Sequence, residues 1–417
     1  MNIWMINHYA APATRAACTR HAVLSKHLKS QGNEVTVFAS NGNHTGGRRC
    51  TGVEIPAGHS YLDEVVAGVR WRYVPTTPYE NSAQRFFNMR SFRQNLCRNI
   101  DDLPDPDVVI GSCVHPYAVD GAIRLARKFD VPFVYEIRDI WPESLVDIGA
   151  LSKWHPVYWE LRRLELKAFR HAAGVIVLFP GMGRYLRRYG IGEESTCFVP
   201  NGVDGISSPV IPTRNSDNFT LTYYGAHGPV NGLKTILDAA ARLRRIPSAS
   251  DIRLRLIGDG VEKPALQRYS DTLGLANVEF LDSVPKSDLP RYVEDTSAFI
   301  YCQSRMPVIE KYGFSPNKLS EYMMYNRPLV FSCKSYNNPV EEARAGLSVE
   351  PENPQALADA ILQMRASSEQ QRWTMACNAR RFALQHHDLS KLSRRLGKFL
   401  ERTVQGSRAP GELSQIA

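Results

Sequence analysis

The chain has 417 residues and a mass of 46.9 kDa. A single hydrophobic core rarely grows this large, so the length predicts two domains of roughly 200 residues each. Hydrophobic residues make up 43% and charged residues 22% of the chain, which excludes wholesale disorder and a small disulfide-stapled fold. Lys and Arg number 51 against 42 Asp and Glu. This positive excess favours an anionic partner such as nucleic acid, a phosphorylated ligand or an acidic lipid.

The sequence carries no signal for membrane insertion or export. No apolar run approaches the ~20 residues of a membrane span, and the stretch from Met1 to Met5 lacks a basic region followed by an apolar one. Eight cysteines are scattered without a C-x-x-C pair, which argues against a zinc site and a disulfide framework. We therefore expect a cytosolic protein with reduced thiols.

The first half of the chain alternates strands and helices. The predicted strands cover residues 3–6, 35–39, 108–110, 132–135 and 174–178. The predicted helices end near Leu28 or cover residues 118–129 and 157–171. This βαβ alternation predicts an α/β domain with a parallel, doubly wound sheet.

A turn-rich stretch from Phe198 to Asn218 marks a linker, after which the alternation resumes. Strands are predicted at 221–224, 252–257, 278–281, 298–301 and 328–331, and helices at 233–243, 263–273, 316–325, 354–364, 369–385 and 390–404. The last two helices are long enough to reach back to the first domain. The expected divisions are a first domain at 1–200, a second at 201–386, a returning helix at 387–406 and a flexible tail at 407–417. Two facing parallel sheets are expected to form a ligand cleft at the carboxyl ends of their strands.

The segment from Tyr312 to Glu321 places a glycine, a lysine and a glutamate around one predicted loop-to-helix junction. Backbone N–H groups at a helix N-terminus favour anionic oxygens, Lys318 can neutralise a diphosphate, and Glu321 can accept two ribose hydroxyls. The alternative is an ordinary capped helix with Ser315 as N-cap and Pro316 at the first helical position. The residues alone leave both interpretations open.

Other predicted strand ends supply a rim beside this junction. The stretch from Tyr224 to Leu233 is rich in glycine and opens a helix, so its N–H groups can approach a phosphate. It matches neither the P-loop nor the dinucleotide fingerprint, which weighs against a kinase or a dehydrogenase. Residues 256–260 and 281–285 end two further strands of the same predicted sheet.

In the first domain, the stretch from Tyr135 to Glu143 ends a strand with three carboxylates, an arginine and an indole. Burial of that much charge is costly unless the charges are paired or used. One interpretation is a structural ion pair between Arg138 and a glutamate. The other is that Asp139 and Glu143 hold sugar hydroxyls.

Two more segments bear on metals and membranes. Asp105-Pro106-Asp107 resembles a D-x-D metal pair but precedes its strand, so it is expected opposite the cleft, and we predict no catalytic metal. Residues 85–98 mix four arginines with three phenylalanines and no acid. Such a segment can lie on an anionic bilayer or form a helix packed on the first domain with snorkelling arginines. Nucleic-acid binding is the third interpretation, and no recognition motif accompanies it.

Taken together, the motifs resemble those of bacterial family 4 glycosyltransferases. The similar stretches are Asn7 to Ala10, Arg138 to Glu143, Pro200 to Asp204 and Ser315 to Lys318, and the resemblance extends over nearly the whole chain. It is most similar to the branch that includes fucosamine transferases of O-antigen and capsule synthesis. The resemblance implies a GT-B fold of two Rossmann-like domains, a nucleotide-sugar donor held mainly by the C-terminal domain, no metal or other cofactor, and retention of anomeric configuration.

The resemblance also implies roles for individual residues. Glu321 matches the second glutamate of the family's E-x7-E motif, and Gly313 stands in place of the first. Ala226 and Asn231 replace the family's usual arginine and lysine, so Lys318 is expected to stabilise the leaving diphosphate. The expected catalytic residues are Lys318, Glu321, Arg138 and Asp139. The expected donor-binding residues are Gly225, His227, Gly228, Asn231, Gly258, Asp259, Val284, Ser315, Pro316, Asn317, Lys318 and Glu321. The expected acceptor-binding residues are His8, Arg15 and Arg20.

The implied reaction moves a sugar, expected to be N-acetylated amino or deoxyamino, from a UDP-sugar to a polyprenyl-diphosphate-linked or other lipid-linked glycan. It is of hexosyltransferase type and proceeds by front-face attack without a protein nucleophile. The expected location is the inner face of the cytoplasmic membrane, in surface polysaccharide synthesis, with no nucleic-acid partner. Two alternatives stay open: a sugar-nucleotide epimerase of GT-B fold, and a catalytically silent partner in a glycan-assembly complex.

Overall fold

The computed structural model describes residues 1–12, 20–42, 53–98, 100–205 and 217–408. The chain divides into two compact units. The first comprises Met1–Pro200 together with the residues from Leu389 onward, and the second is Asn201–Asp388. The returning segment thus begins at Leu389 rather than at 387, and the predicted helix at 369–385 stays within the second unit.

The first unit is an eight-stranded sheet with helices on its faces. Its strands are β1 (Asn2–Ile6), β2 (Glu34–Ser40), β3 (Leu62–Val66), β4 (Val69–Val74), β5 (Val108–Cys113), β6 (Phe133–Ile137), β7 (Ala172–Val177) and β8 (Thr196–Phe198). Its helices are α1 (Arg20–Ser30), α2 (Ser82–Leu96), α3 (Pro116–Lys128), α4 (Glu143–Asp147), α5 (Pro156–His171) and α6 (Gly183–Leu186), and the last helix of the chain, Leu389–Arg408.

The strand order in this sheet is β3-β4-β2-β1-β5-β6-β7-β8. All paired strands are parallel except β3 and β4, which form an antiparallel hairpin at the edge. The sequence does not show this hairpin because β3 carries Asp63 and Glu64 in place of apolar residues. Both acids are used across the ladder: Asp63 accepts hydrogen bonds from Arg72, and Glu64 accepts one from the Tyr73 hydroxyl.

The second unit is a six-stranded parallel sheet in the order β11-β10-β9-β12-β13-β14. Its strands are β9 (Phe219–Tyr224), β10 (Ile252–Ile257), β11 (Val278–Leu281), β12 (Thr296–Cys302), β13 (Leu329–Ser332) and β14 (Gly346–Val349). Its helices are α7 (Leu233–Leu243), α8 (Lys263–Thr272), α9 (Leu289–Val293), α10 (Pro307–Tyr312), α11 (Asn317–Met324), α12 (Pro339–Glu342), α13 (Pro354–Ala366) and α14 (Glu369–His386). The final helix of the chain, in the first unit, is α15 (Leu389–Arg408).

Each sheet has one point at which the strand order reverses, between β1 and β5 in the first unit and between β9 and β12 in the second. The loops that leave these strands diverge to opposite faces of the sheet, which opens a crevice at their carboxyl ends. Ligands of open α/β sheets bind in such crevices. We therefore expect functional residues in the segments after β1 and β5, and in those after β9 and β12.

Helix α15 completes the core of the first unit. Leu392, Leu396 and Phe399 are buried against a cluster that includes Ile176 and Val199. The helix has a continuous apolar stripe because its leucines recur at helical spacing. The core of the first unit is therefore built from the two ends of its sequence.

We expect Leu396→Ala to destabilise the first unit by about 2–5 kcal/mol, because the change removes a fully buried side chain and leaves a cavity. Lys398→Ala, on the exposed face of the same helix, is the matched control and should change stability by less than about 0.5 kcal/mol. Denaturant unfolding of both variants measures this difference. Equal effects would show that α15 does not contribute to this core.

Candidate active site

The junction before α11 differs by one residue from the expected capped helix. Pro316 occupies the N-cap position with an extended backbone, and Asn317 is the first helical residue. The expectation of a Ser315 N-cap and Pro316 at the first helical position is thus wrong, because the Ser315 hydroxyl is engaged elsewhere: it accepts a hydrogen bond from the Asn201 N–H at 2.7 Å. Within the described part of the chain, no side chain caps the start of α11. The first N–H groups of this helix therefore have no partner within the helix and no side-chain cap.

Two asparagines fix the loop that leads into this helix. The Asn201 side chain donates to the Ser315 carbonyl at 2.5 Å. The Asn337 side chain accepts from the Phe314 N–H at 3.0 Å and donates to the Phe314 carbonyl at 3.2 Å. Loop backbone that lies outside regular structure is thereby hydrogen-bonded and held in one conformation. The sequence placed Asn201 in a linker and gave no signal for Asn337, because neither contact is local in the sequence.

Gly313 has a backbone conformation of φ 85°, ψ −175° at the end of α10. This region is accessible almost only to glycine, and a residue with a Cβ held there costs about 1–3 kcal/mol. The chain could therefore not carry a glutamate at this position without moving the loop. The difference from the E-x7-E pattern is a difference in backbone geometry as well as in charge.

Lys318 is the centre of the site in the second unit. Its Nζ donates to Asn231 Oδ1 at 2.6 Å and to the Tyr223 hydroxyl at 2.9 Å, and it lies 4.5 Å and 4.9 Å from the ring centroids of Tyr223 and Tyr301. Burial lowers the pKa of Lys318 to about 7, while the neighbouring Cys302 and Cys333 act weakly in the other direction. The amine is thus poised near neutrality, and an anion arriving beside it would favour the charged form.

Tyr223 and Asn231 both belong to the segment that ends β9 and opens α7. The Tyr223 hydroxyl donates to the Ala226 carbonyl at 2.6 Å, which leaves its oxygen free to accept from Lys318. Gly228 precedes a short turn in which the Asn231 N–H bonds to the Gly228 carbonyl at 3.0 Å. Lys318 therefore ties α11 to the loop at the reversal point of the sheet.

The loops after β9 and β10 are interlocked. The Gly225 N–H donates to the Ile257 carbonyl, and the His227 N–H donates to the Asp259 carbonyl. A Cβ added to Gly258 would lie 2.0 Å from the Gly225 carbonyl oxygen, so only glycine allows the two chains to approach this closely. The structure brings these four predicted residues together.

His227 is fully buried, and neither of its ring nitrogens has a hydrogen-bond partner among the described residues. Burial, assisted by the nearby Lys263 charge, lowers its pKa to about 4, so the ring is neutral at pH 7. An unsatisfied buried polar group costs about 1–3 kcal/mol. Costs of this kind are typical of functional sites.

Glu321 lies one turn along α11 from Lys318. One carboxylate oxygen accepts from the Tyr224 hydroxyl at 3.0 Å, and the other pairs with the Lys286 ammonium. A carboxylate has about four acceptor positions, so Glu321 keeps capacity for two further donors. Its orientation is set by groups on β9 and on the turn after β11.

Lys263 joins the ends of β10 and β11, a role that the sequence did not reveal. Its Nζ donates to Asp259 at 3.1 Å, to Asp282 at 2.6 Å and to the Leu281 carbonyl at 3.0 Å. Burial acts to raise the pKa of Asp259, but hydrogen bonds from the Ser283 N–H and from Lys263 outweigh it and lower the pKa. Val284 follows this pair and is half-buried.

In the first unit, Arg20 is buried and serves a structural network. Its guanidinium donates to Glu136 at 3.0 Å and to the carbonyls of Val199 and Pro200 at 2.7 and 2.6 Å. Arg20 and Glu136 therefore form a buried ion pair in this region, and the Arg138 charge also helps to lower the pKa of Glu136. This placement counts against Arg20 as a ligand for an acceptor phosphate, because its donors already hold the protein together.

Glu136 also accepts from His21 Nε2 at 2.9 Å, and His21 Nδ1 lies 3.0 Å from Asn7 Nδ2. Burial acts to raise the pKa of Glu136, but His21 and Arg20 outweigh it and hold the pKa well below its ordinary value. Burial lowers the pKa of His21. A neutral His21 that donates from Nε2 and accepts at Nδ1 satisfies all three side chains.

The remaining predicted residues of this unit have different surroundings. Arg138 is half-buried, and Asp139 is exposed at the end of β6. Partial desolvation raises the pKa of Asp139, and the Arg138 charge opposes that change. Glu143 accepts from the Tyr158 hydroxyl at 2.8 Å, and Arg15 lies outside the described residues.

His8 is buried beside His115. The sequence patterns did not indicate a role for His115. His115 is the N-cap of α3: its Nδ1 accepts from the Ala118 N–H at 3.2 Å. Its Nε2 therefore carries the proton in the neutral ring and donates to His8 Nδ1 at 2.8 Å. Burial lowers the pKa of His115 to about 3. The pair lies where β1 and β5 end, at the reversal point of the first sheet.

The structure also locates the segments considered for metal binding. The Asp107 carboxylate accepts from the Asn2 N–H at 2.8 Å, at the amino ends of β1 and β5 and so away from the reversal point. In the described ranges, no group of three or more His, Cys, Asp or Glu side chains could hold a metal ion.

Family models match both units. The model described as "Glycosyl transferase 4-like domain" matches residues 18–202, and the model described as "Glycosyl transferases group 1" matches residues 218–367. The first unit is thus a glycosyl transferase 4-like domain, and the second is a glycosyl transferases group 1 domain. Together with the two parallel-sheet units, these domains define the GT-B class.

Three individual proteins illustrate the relationship. A protein of Pseudomonas aeruginosa described as "Probable glycosyltransferase WbjE" is 22% identical over 266 residues, which cover 59% of this chain and 63% of that protein, less than two thirds of its length. Sucrose-phosphate synthase of Thermosynechococcus elongatus has a TM-score of 0.76 at 17% identity, with 97% of this chain and 99% of that one covered. Anabaena Alr3699/HepE, solved in complex with UDP and glucose, has a TM-score of 0.65 at 16% identity, with 96% and 100% covered. The structural similarities show the shared fold.

We expect Asn337→Ala to loosen the loop before α11. The change removes two hydrogen bonds of about 1 kcal/mol each, so amide exchange at residues 313–315 should accelerate roughly five- to thirtyfold. Asn378→Ala, which removes an exposed amide on α14, is the matched control. Hydrogen exchange followed by mass spectrometry measures both, and unchanged exchange in the Asn337 variant would contradict the clamp.

Proposed function

We propose that this protein is a retaining, metal-independent glycosyltransferase that moves a sugar from a UDP-sugar to a lipid-linked glycan. The observation that carries the proposal is Lys318, whose ammonium lies between Tyr223, Tyr301 and Asn231 beside an uncapped helix terminus. A lone lysine held in this way is expensive unless an anion compensates it. A diphosphate is the anion that a nucleotide-sugar brings and leaves behind.

The diphosphate is proposed to lie between α11 and the loop from Gly225 to Asn231. The N–H groups at the start of α11 and the glycine-rich loop supply donors, and Lys318 supplies the charge. Because these groups are fixed before the substrate binds, they stabilise negative charge as it develops on the departing diphosphate at little reorganisation cost. The same arrangement replaces the arginine and lysine that are absent at Ala226 and Asn231.

Glu321 is proposed to bind the ribose. Tyr224 and Lys286 hold its carboxylate so that its remaining acceptor positions are available to two adjacent hydroxyls. The turns at Asp259 and Val284, tied by Lys263, would then border the base. Uridine is favoured because the structurally similar Anabaena protein is described in complexes with UDP and with UDP-glucose.

The sugar and the acceptor remain part of the proposal. An N-acetylated amino or deoxyamino sugar and a polyprenyl-diphosphate-linked acceptor follow from the resemblance of the motifs, as does a role in O-antigen or capsule synthesis at the inner membrane face. Arg138 and Asp139 are assigned to the sugar, and His8 to the acceptor. Because a leaving phosphate can itself accept the acceptor's proton, no protein nucleophile is needed, and positioning supplies much of the rate. The two transferase domains do not favour the epimerase alternative.

We expect UDP to stabilise the protein against thermal unfolding without divalent metal, by about 2.7 kcal/mol at a concentration 100-fold above its Kd. Lys318→Met and Glu321→Ala should each lose most of this stabilisation, because each removes a proposed contact. Lys398→Met and Glu342→Ala remove exposed charges elsewhere and are the matched controls. No response of the unaltered protein to UDP, GDP, ADP or dTDP would favour the silent partner instead.

We expect the protein to bind UDP more tightly than 2′-deoxy-UDP, since a hydrogen bond to a charged carboxylate contributes about 1.5–3 kcal/mol, roughly ten- to hundredfold in affinity. In Glu321→Ala this preference should largely disappear, because UDP loses the contacts of both ribose hydroxyls while 2′-deoxy-UDP loses only the contact of its 3′-hydroxyl. Titration calorimetry of both ligands with both proteins gives the double-mutant comparison. A preference that persists in Glu321→Ala would remove Glu321 from the ribose site.

A further inference from the structure

Four large apolar side chains of α2, α5 and the connection before α5 are exposed in the first unit. Trp154 is 93% exposed, Trp159 is 62%, Phe87 is 61% and Ile148 is 47%. Isolated exposed apolar residues are common, but two tryptophans within six residues of sequence, with this much surface in water, are not. Trp154 and Ile148 lie in the connection between α4 and α5, Trp159 lies on α5, and Phe87 lies on α2.

These residues flank one small cluster. Met89 of α2, Tyr117 of α3 and Leu161 of α5 form its buried part. Phe86, the neighbour of Phe87, lies 5.5 Å from the Tyr117 ring, and the Tyr117 hydroxyl donates to Glu160, the neighbour of Trp159. Phe86 and Val157 also pack against this cluster, so α2 and α5, which carry Phe87 and Trp159, meet at the same packing centre. We name Phe87, Ile148, Trp154 and Trp159 the aromatic surface.

Cations accompany the aromatic surface. Residues 85–98 contain four arginines and no acid, and residues 148–163 contain three cations and one acid. Three of these cations are paired within the protein: Arg93 with Asp120, Arg162 with Glu165, and Lys153 with Glu143 at 3.4 Å on the surface. Lys153 and Arg163, beside the two tryptophans, are exposed. The expected packing of residues 85–98 as a helix is found in α2, with Phe92 and Leu96 buried.

This combination fits an anionic bilayer. Tryptophan prefers the boundary between lipid headgroups and hydrocarbon, because its ring is apolar and its N–H is polar. Each Lys or Arg close to an anionic surface adds about 1 kcal/mol of attraction. Among described residues, no helix is long and apolar enough to cross a membrane, so contact through this surface would be peripheral.

We propose that the aromatic surface inserts into the headgroup region of an anionic phospholipid bilayer, with Trp154 as the deepest residue and Lys153 and Arg163 at the level of the phosphates. The biological sense of this contact rests on the proposed function, because a lipid-linked acceptor is presented at a bilayer. The contact itself involves none of the proposed donor-binding residues. Binding to vesicles and binding of UDP can therefore be measured, and can fail, separately.

The test is flotation of the full chain with vesicles of phosphatidylcholine, with and without phosphatidylglycerol, in low and high salt. We expect binding only to the vesicles that contain phosphatidylglycerol, weakened by salt, with a blue shift of tryptophan emission. In the Trp154→Ser/Trp159→Ser double variant, affinity for these vesicles should fall about tenfold or more. Trp373→Ser, at a tryptophan that is 50% exposed on α14 of the second unit, is the matched control and should bind as the unaltered protein does.

The outcomes separate the possibilities. Equal vesicle binding by the double variant and the Trp373 control, or no binding at all to anionic vesicles, overturns the proposal. So does a vesicle-free dimer or larger complex that the double variant abolishes, because the surface would then serve a protein partner. UDP stabilisation measured on the same variants tells whether the donor site is intact. Its absence in every variant would contradict the proposed function and leave the vesicle result standing.

Discussion

The buried ammonium of Lys318 is the interaction around which the second unit is organised. It joins α11 to the loop after β9 at the reversal point of the sheet, and its contacts are two neutral oxygens and two aromatic rings. Neutral partners hold a cation without neutralising it, so the same lack of a counter-charge that accompanies the low pKa would favour an arriving anion. Asn201 and Asn337 hold the backbone of Ser315 and Phe314. Together with the backbone conformation of Gly313, these contacts fix the loop that precedes Lys318.

In the first unit, the buried charges are paired with one another. Arg20 and Glu136 neutralise each other, neutral His21 hydrogen-bonds to Glu136, and Arg20 also donates to the carbonyls of Val199 and Pro200. Removal of Arg20 or of Glu136 would leave a buried charge unpaired, at a cost of about 3–5 kcal/mol. A fully satisfied network supports structure, whereas Lys318 and the unsatisfied ring of His227 are partly compensated groups that suit ligand binding.

Much of the fold is predictable from the sequence because apolar strands and amphipathic helices alternate clearly. Strands β10 and β11 and helix α7 occur at the predicted bounds. The polar edge hairpin β3–β4 is not predictable from apolar pattern, since its pairing depends on Asp63, Glu64 and their partners across the ladder. In the candidate site, local sequence motifs predict the glycines and Lys318. Local motifs do not predict Lys263, Asn337 and His115, because their partners are distant in sequence. The one-residue shift of the helix start at Ser315 arises from the hydrogen bond between Ser315 and Asn201.

The ionisation of Lys318 is the most direct test of its proposed role in binding the diphosphate. Competitive acetylation at a series of pH values, followed by mass spectrometry, reports the pKa of each lysine in the intact protein. We expect Lys318 to titrate near pH 7 without ligand, far below the ordinary value of about 10.4, and we expect UDP to raise its pKa and protect it from acetylation. An ordinary pKa that UDP leaves unchanged would contradict the claim that this lysine is the receptor for the diphosphate.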